Sequence, residues 1–105
     1  MADIPPVKPK DVIKSGSYLG DLKGYKGIGK NKMAKLEAVI NEAVYGYLTQ
    51  RKALPEKFND HHIFHKRFGE CRNCHLQPDT ILLYRMNQAT VELLRLGSHA
   101  DLKLG

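Results

Sequence analysis

The stretch TILLYRMNQATVELLRLG, residues 80–97, decides the fold because it holds two apolar segments joined by a short polar connection. The first segment, TILLYRM, carries large apolar side chains on both faces, as a central strand does. The second, TVELLRL, follows directly after Asn87-Gln88-Ala89. A connection this short between two strands predicts an antiparallel hairpin.

The segments before this hairpin predict a third strand and two helices. CRNCHL, residues 71–76, forms the preceding strand and turns through Gln77-Pro78-Asp79. Residues 31–48, NKMAKLEAVINEAVYGYL, repeat apolar side chains at the spacing of one helical face, and residues 15–32 do so more weakly because glycines interrupt them. Lys10–Lys14 is predicted as a short edge strand. The result is an α+β domain: a small antiparallel sheet, made of the N-terminal strand and a C-terminal meander of three strands, packed against two N-terminal helices.

The connection between the second helix and the meander is predicted to be a linker. It spans residues 49–62, TQRKALPEKFNDHH, is basic, and contains Pro55, which excludes a helix there. This prediction places His61 in a loop that leads back to the sheet.

Length, composition and charge limit the class of protein. A chain of 105 residues is expected to form one domain over residues 1–105, with the proline-rich segment 1–9 flexible. The start has no apolar signal segment, and no apolar run approaches the roughly 20 residues that cross a bilayer, so we expect a cytoplasmic protein without a membrane partner. The net charge of +6 favours nucleic acid or an acidic protein as partner, the alternative being a merely soluble basic protein.

The motif Cys71-Arg72-Asn73-Cys74-His75 matches the attachment pattern of a covalent haem, and its cysteine pair suggests zinc or thiol redox chemistry. On an extended strand, however, residues three apart point to opposite faces. Cys71 and Cys74 are then unable to share a metal ion or bridge each other easily. We therefore expect no haem, no metal and no other cofactor, and two ordinary half-buried cysteines.

Three short motifs taken together are specific. They are Asp60-His61, the segment Cys74–Asp79 (CHLQPD), and Gly97-Ser98-His99. In this combination the chain resembles the RelE superfamily of bacterial toxins, in particular the YafQ-like ribosome-dependent mRNA interferases of type II toxin–antitoxin systems. The resemblance implies a RelE-like fold and an endoribonuclease that cleaves translated mRNA in the ribosomal A site. It also implies a cognate antitoxin and the 70S ribosome with its mRNA as partners.

The resemblance further implies a set of site residues. His61, His75, Asp79 and His99 are expected to converge in one cleft and to cleave RNA by attack of the ribose 2′-OH, with His and Asp as acid and base. We expect Asp79 with His75 on the base side and His99 as the general acid, although the sequence does not distinguish acid from base. The cations expected to bind RNA are Arg85, Arg95 and Lys103.

The chain also departs from the pattern of that group. Thr80 follows Pro78-Asp79 where an aromatic residue is usual, and Lys103 stands where Phe is common. An extra residue separates Asp60-His61 from His75. Since stacking on an RNA base contributes about 1–3 kcal/mol, loss of both aromatics suggests an alternative function. The alternative is a catalytically weakened toxin fold that acts as an antitoxin- or ribosome-binding module.

Overall fold

A computed structural model describes residues 4–103, which form a five-stranded sheet with helices on both faces. The strands are β1 (Val12–Lys14), β2 (His61–His65), β3 (Gly69–Gln77), β4 (Thr80–Met86) and β5 (Val91–Gly97). The helices are α1 (Gly16–Gly24), α2 (Lys30–Asn41), which continues as a π-helical segment over Glu42–Leu48, and α3 (His99–Leu102). Three short 3-10 turns cover Pro9–Asp11, Tyr25–Ile28 and Glu56–Phe58.

The strand order is β1-β5-β4-β3-β2, and the predicted hairpin and meander are confirmed as the antiparallel pairs β4–β5 and β3–β4. The α+β class is confirmed as well. Two details differ from the prediction: β1 is parallel to β5, which makes the sheet mixed, and β2 adds a fifth strand at the far edge. The segment HHIFH gave no strand signal because an edge strand is held by backbone hydrogen bonds on one side and needs few apolar side chains.

The sheet separates two apolar clusters. On one face, α1, α2 and the π-helical segment cover Cys74, Leu76, Leu82 and Tyr84 of the central strands. On the other face, Cys71, Ile81, Leu83 and Leu94 pack against Leu102 of α3. Cys71 and Cys74 therefore lie on opposite faces, as the alternation of a strand predicts.

Both cysteines are buried free thiols. Burial raises the pKa of the Cys74 thiol to about 12 and raises that of Cys71 as well, so neither forms a thiolate readily at neutral pH. Among residues 4–103, no group of three or more His, Cys, Asp or Glu side chains is arranged to hold a metal ion. The motif at residues 71–75 is thus part of a strand and has the geometry of neither a zinc knuckle nor a haem loop.

The segment predicted to be flexible, residues 1–9, falls partly outside the described residues, because the description begins at Ile4. Within the described part, Val7 is buried and its backbone N–H donates to the carbonyl of Thr49 at 2.7 Å. This contact attaches the N-terminal segment to the end of the π-helical segment. No helix in the described range 4–103 is long and apolar enough to cross a membrane.

Candidate active site

A cavity of about 570 Å³ opens on the face of the sheet that carries Cys71 and α3. Its volume lies within the range of roughly 300–1,000 Å³ that is usual for ligand pockets. Its walls come from β2, β3, the loops around β2, and α3. The lining residues are Asn59, His61, Ile63, Phe64, His65, Lys66, Asn73, His75, His99 and Lys103.

Three imidazole rings form a row along this cavity. The ring centroids of His61 and His75 lie 6.5 Å apart with their planes inclined by 27°, and those of His75 and His99 lie 5.2 Å apart. His61 is the first residue of β2, His75 lies on the neighbouring strand β3, and His99 begins α3 after β5. The structure thus brings together three histidines that the sequence separates widely.

Asp79 joins this row through His99. Its Oδ1 lies 3.5 Å from Nδ1 of His99, so the two side chains form an ion pair whenever His99 is protonated. The sequence analysis expected Asp79 to act with His75, and that role stays a prediction; the ion pair that the structure shows is with His99. The reason is tertiary: Asp79 is in the β3–β4 turn, and the adjacent end of β5 directs α3 toward that turn.

The position of His99 follows from how α3 begins. The hydroxyl of Ser98 accepts from the backbone N–H of Asp101, whose carboxylate in turn accepts from the N–H of Ser98. This reciprocal capping box sets the first turn of the helix. His99 follows the cap directly, half exposed at the cavity.

His61 was expected in a linker, but it begins the edge strand β2. Its Nδ1 lies 2.8 Å from the carbonyl oxygen of Asn59. Because a carbonyl only accepts, Nδ1 must carry the hydrogen in this bond, which leaves a lone pair on Nε2 of the neutral ring. Nε2 of His61 can therefore accept a hydrogen bond from a molecule in the cavity.

The start of β2 is anchored on the other side of the sheet by Asp60. Its carboxylate accepts from Nε and Nη2 of Arg72, at 3.2 and 3.0 Å, and from the hydroxyl of Tyr84. Tyr84 is almost fully buried. Burial is the largest cause that raises the pKa of its phenol, and the hydrogen bond to Asp60 is the second. Since Asp60 precedes His61 directly, this network holds the backbone from which His61 projects.

His75 is the central and most buried of the three rings in the row. Burial lowers its pKa below the ordinary value, the neighbouring His99 and His61 lower it further, and Asp79 partly opposes them. Since the ordinary value is about 6.5, His75 is neutral at neutral pH. A neutral imidazole beside a histidine that is paired with a carboxylate provides two groups suited to different proton-transfer roles.

The other two histidines have different environments. His65 lines the cavity, but both of its ring nitrogens have partners: Nε2 donates to the carbonyl of Leu102 at 3.0 Å, and Nδ1 accepts from the N–H of Arg67 at 3.1 Å. It connects β2 to α3. His62 is exposed and borders a different groove.

Of the three predicted RNA-binding cations, only Lys103 lines the cavity, where Lys66 joins it. Arg85 pairs with Glu92 at 3.3 Å and donates to the carbonyl of Phe68. Arg95 donates from Nε and Nη2 to the carboxylate of Asp21, at 2.6 and 3.1 Å. RNA binding by Arg85, Arg95 and Lys103 stays a prediction, and the two arginines lie outside the cavity in ion pairs within the chain.

The sequence interpretation missed two cavity residues of interest, Asn73 and Lys66. Asn73 is two residues before His75, so the alternation of a strand was a signal that both share a face. Lys66 follows β2, the strand that was not predicted, and no signal in the sequence separated it from other exposed lysines.

The two departures from the aromatic pattern also have defined positions. Thr80 is buried and its hydroxyl donates to Oε1 of Gln77 at 3.3 Å. Lys103 ends α3 with a φ of 56° and borders the cavity. The first position faces inward and offers no stacking surface, whereas the second places a positive charge at the cavity.

Comparison with known proteins shows which family and which solved structures the chain is similar to. The model of the family "Bacterial toxin of type II toxin-antitoxin system, YafQ" matches residues 10–104. No curated protein matches the chain. Among solved structures, a copper-bound mutant toxin from Helicobacter pylori is 29% identical, with a TM-score of 0.73 over 88% of this chain and 97% of that one. The DinJ–YafQ complex from E. coli is 28% identical, with a TM-score of 0.68 over 88% and 96%. A metal-bound toxin from Helicobacter pylori is 32% identical, with a TM-score of 0.67 over 87% and 96%.

Proposed function

The chain belongs to the YafQ family of bacterial toxins of type II toxin–antitoxin systems, and on that basis we propose that it is a ribosome-dependent endoribonuclease that cleaves translated mRNA in the A site. The observation that carries the proposal is the row of three histidines along one cavity, with Asp79 paired to His99. Metal-free RNA cleavage needs a base for the 2′-OH, an acid for the leaving 5′-oxygen and positive charge near the phosphate.

In the proposed mechanism, neutral His75 is the general base. It removes the proton from the ribose 2′-OH, whose oxygen then attacks the adjacent phosphorus. The P–O5′ bond breaks, and the products are a 2′,3′-cyclic phosphate and a 5′-hydroxyl. The lowered pKa of His75 supports this role, because a base must be unprotonated before the reaction begins.

His99 is the general acid that protonates the leaving 5′-oxygen. Its ion pair with Asp79 supports this role, because the carboxylate attracts the protonated imidazole and orients it. The ring centroid of His99 is 5.2 Å from that of His75, so both groups can face one phosphodiester. Asp79 thus moves from the base side, where the sequence interpretation had it, to the acid side.

Binding of the RNA is the role proposed for His61 and the lysines. The free Nε2 of His61 accepts a hydrogen bond from a hydroxyl or amino group of the nucleotide. Lys66 and Lys103 supply positive charge at the cavity. The net charge of +6 makes the protein as a whole attractive to RNA. A single cavity of about 570 Å³ contacts only a short part of an mRNA, so presentation of the mRNA by the ribosome is the proposed source of the remaining affinity.

The proposed protein partner is a cognate antitoxin, because a solved relative is described as the DinJ–YafQ complex. A basic toxin surface favours an acidic or amphipathic antitoxin segment. We propose that the segment neutralises the toxin by covering the histidine cavity or by blocking entry into the ribosome. The whole described chain would act as one toxin domain in this complex.

Primer extension on a reporter mRNA in a translating extract tests the proposed activity. Wild type, His99→Ala and His62→Ala are compared, with naked mRNA as the ribosome-free arm. His62 is the matched control because it is an exposed histidine outside the cavity, one residue from His61. We expect frame-dependent cuts only during translation, a loss of about 10²- to 10⁴-fold in His99→Ala, and no loss in His62→Ala.

The absence of cuts from wild-type protein that still binds ribosomes or antitoxin would contradict the nuclease and favour the binding module. The inward position of Thr80 is the observation that keeps this second function in view, since it leaves one expected stacking surface missing.

A further inference from the structure

Two polar atoms on the floor of the cavity are buried without a hydrogen-bond partner. They are Oδ1 of Asn73 and Nδ1 of His75, and no group within residues 4–103 bonds to either. Asn73 as a whole is almost fully buried, with a relative exposure of 3%. Buried polar atoms are almost always paired, so two such atoms in one place call for an explanation.

The two atoms make no bond to each other in this structure, but their residues are neighbours on one strand. They are two positions apart on β3, so their side chains leave the same face, with Cα atoms about 6.6 Å apart. Asn73 lies opposite His61 on β2 and opposite Leu83 on β4, and His75 lies opposite Ile81. An amide side chain and an imidazole can close such a gap by rotation about their side-chain torsions.

Their chemistry is complementary as well. The amide oxygen of Asn73 can only accept, and Nδ1 of a neutral imidazole donates in one of its two tautomers. Because both atoms lack a partner in this structure, a bond from Nδ1–H to Oδ1 would satisfy both. It also selects the tautomer whose lone pair is on Nε2, the nitrogen left to meet a molecule in the cavity.

We propose that Asn73 is a positioning residue for His75: its side-chain oxygen accepts the Nδ1–H of His75 and fixes the tautomer that presents the Nε2 lone pair to the substrate. The inference rests on the proposed function in one respect, namely that His75 acts as the base. The tautomer itself is a property of the protein alone, and it is measured without RNA.

Three variants separate positioning from packing. Asn73→Leu keeps nearly the same shape and removes the acceptor. Asn73→Asp keeps a side-chain oxygen and tests whether this acceptor alone is enough to hold the tautomer of His75. Cys71→Ala is the matched control. Cys71 lies two residues before Asn73 on the same face of β3, is equally buried, and makes no hydrogen bond to Nδ1 of His75. A ¹H–¹⁵N spectrum of each variant establishes that it is folded.

The experiment is long-range ¹H–¹⁵N NMR of the histidine rings at a pH where His75 is neutral. We expect the Nδ1–H tautomer to dominate for His75 in wild type, Asn73→Asp and Cys71→Ala, and its share to fall by more than half in Asn73→Leu. In the translation assay, Asn73→Leu should lose cleavage in proportion to the fall in the Nδ1–H tautomer of His75, and Asn73→Asp should retain more.

A dominant Nε2–H tautomer in wild type, or an unchanged tautomer in Asn73→Leu, would overturn the inference even if the protein cleaves mRNA. The expected tautomer change in a protein that cleaves nothing would uphold the positioning role and reject the proposed nuclease. The two failures are therefore distinguishable.

Discussion

The ring of His75 lies 5.2 Å from that of His99, measured between centroids, and the two imidazoles differ in their surroundings. Burial favours the neutral form of His75, whereas His99 is half exposed beside Asp79. This difference is the structural basis for assigning opposite proton-transfer roles to two residues of the same type. It also leads to the first prediction.

We predict that His75 titrates below its ordinary pKa of about 6.5 in the folded protein. His99→Gln should raise the value only in part, because burial is the largest cause and remains. His62→Gln should leave it unchanged. A ¹H–¹⁵N titration of the histidine rings measures all three, and an ordinary value for His75 in wild type would contradict the prediction.

The same shift predicts how stability and activity depend on pH. Because folding lowers this pKa, the unfolded chain binds the His75 proton more tightly, and the free energy of unfolding should decrease as pH falls through about 6.5. Cleavage should increase with pH through the lower pKa of the folded state, as the base becomes neutral. Denaturant titrations and single-turnover rates between acidic and neutral pH check both directions. In His75→Gln, the contribution of this group to the pH dependence of stability should disappear.

Asp79→Asn should lower the cleavage rate by about 1.4- to 5-fold, the equivalent of the 0.2–1 kcal/mol typical of an exposed ion pair. The effect is small because the Asp79 side chain is 74% exposed and water screens the pair. Single-turnover cleavage on programmed ribosomes measures it, with Glu56→Gln as an exposed carboxylate control. A loss as large as that of His99→Ala would instead identify Asp79 as a direct participant in proton transfer.

The anchor of β2 should contribute measurably to stability. Asp60→Ala leaves the buried Tyr84 hydroxyl and the Arg72 guanidinium without their acceptor, and we expect a loss of about 2–3 kcal/mol. Tyr84→Phe removes one donor and leaves the Arg72–Asp60 pair, so its cost should be near 1 kcal/mol. Urea unfolding measures both. The double variant should lose less than the sum, and additive losses would show that the residues do not form one network.

Gly97 should be required for the position of α3. A Cβ atom at this position would lie 3.1 Å from Cβ of Asp101 and 3.4 Å from Leu102, so Gly97→Ala should displace α3 and His99 with it. We expect lower cleavage and a stability loss of about 1–3 kcal/mol. Gly20→Ala is the control: its Cβ meets nothing within 4 Å, and alanine inside α1 should stabilise by up to roughly 1 kcal/mol. Full activity in Gly97→Ala would contradict this account.

Salt dependence of RNA binding should separate the candidate cations. Lys103→Gln should reduce the slope of log affinity against log salt by about 0.7, the value for one phosphate contact on a single strand. Arg95→Gln should leave the slope unchanged and lower stability, because Arg95 is paired with Asp21. Fluorescence anisotropy with a single-stranded RNA measures the slopes. An equal decrease for both variants would place Arg95 at the RNA after all.

The local secondary structure and the histidines of the candidate site could be predicted from the sequence. The apolar pattern of residues 80–97 predicted the β4–β5 hairpin, and the alternation of β3 predicted that Cys71 and Cys74 face opposite sides, because both follow from the period of a strand. The combined motifs around His61, His75 and His99 indicated the family, which the family match confirmed.

The tertiary structure alone decided the relations between distant residues. The parallel pairing of β1 with β5 and the ion pair of Arg95 with Asp21 join segments far apart in the chain. Asp79 contacts His99 for the same reason, since the C-terminal end of β5 and the β3–β4 turn lie at the same end of the sheet's strands. Such contacts depend on how whole elements pack, and the local periodicity of the sequence carries no information about them.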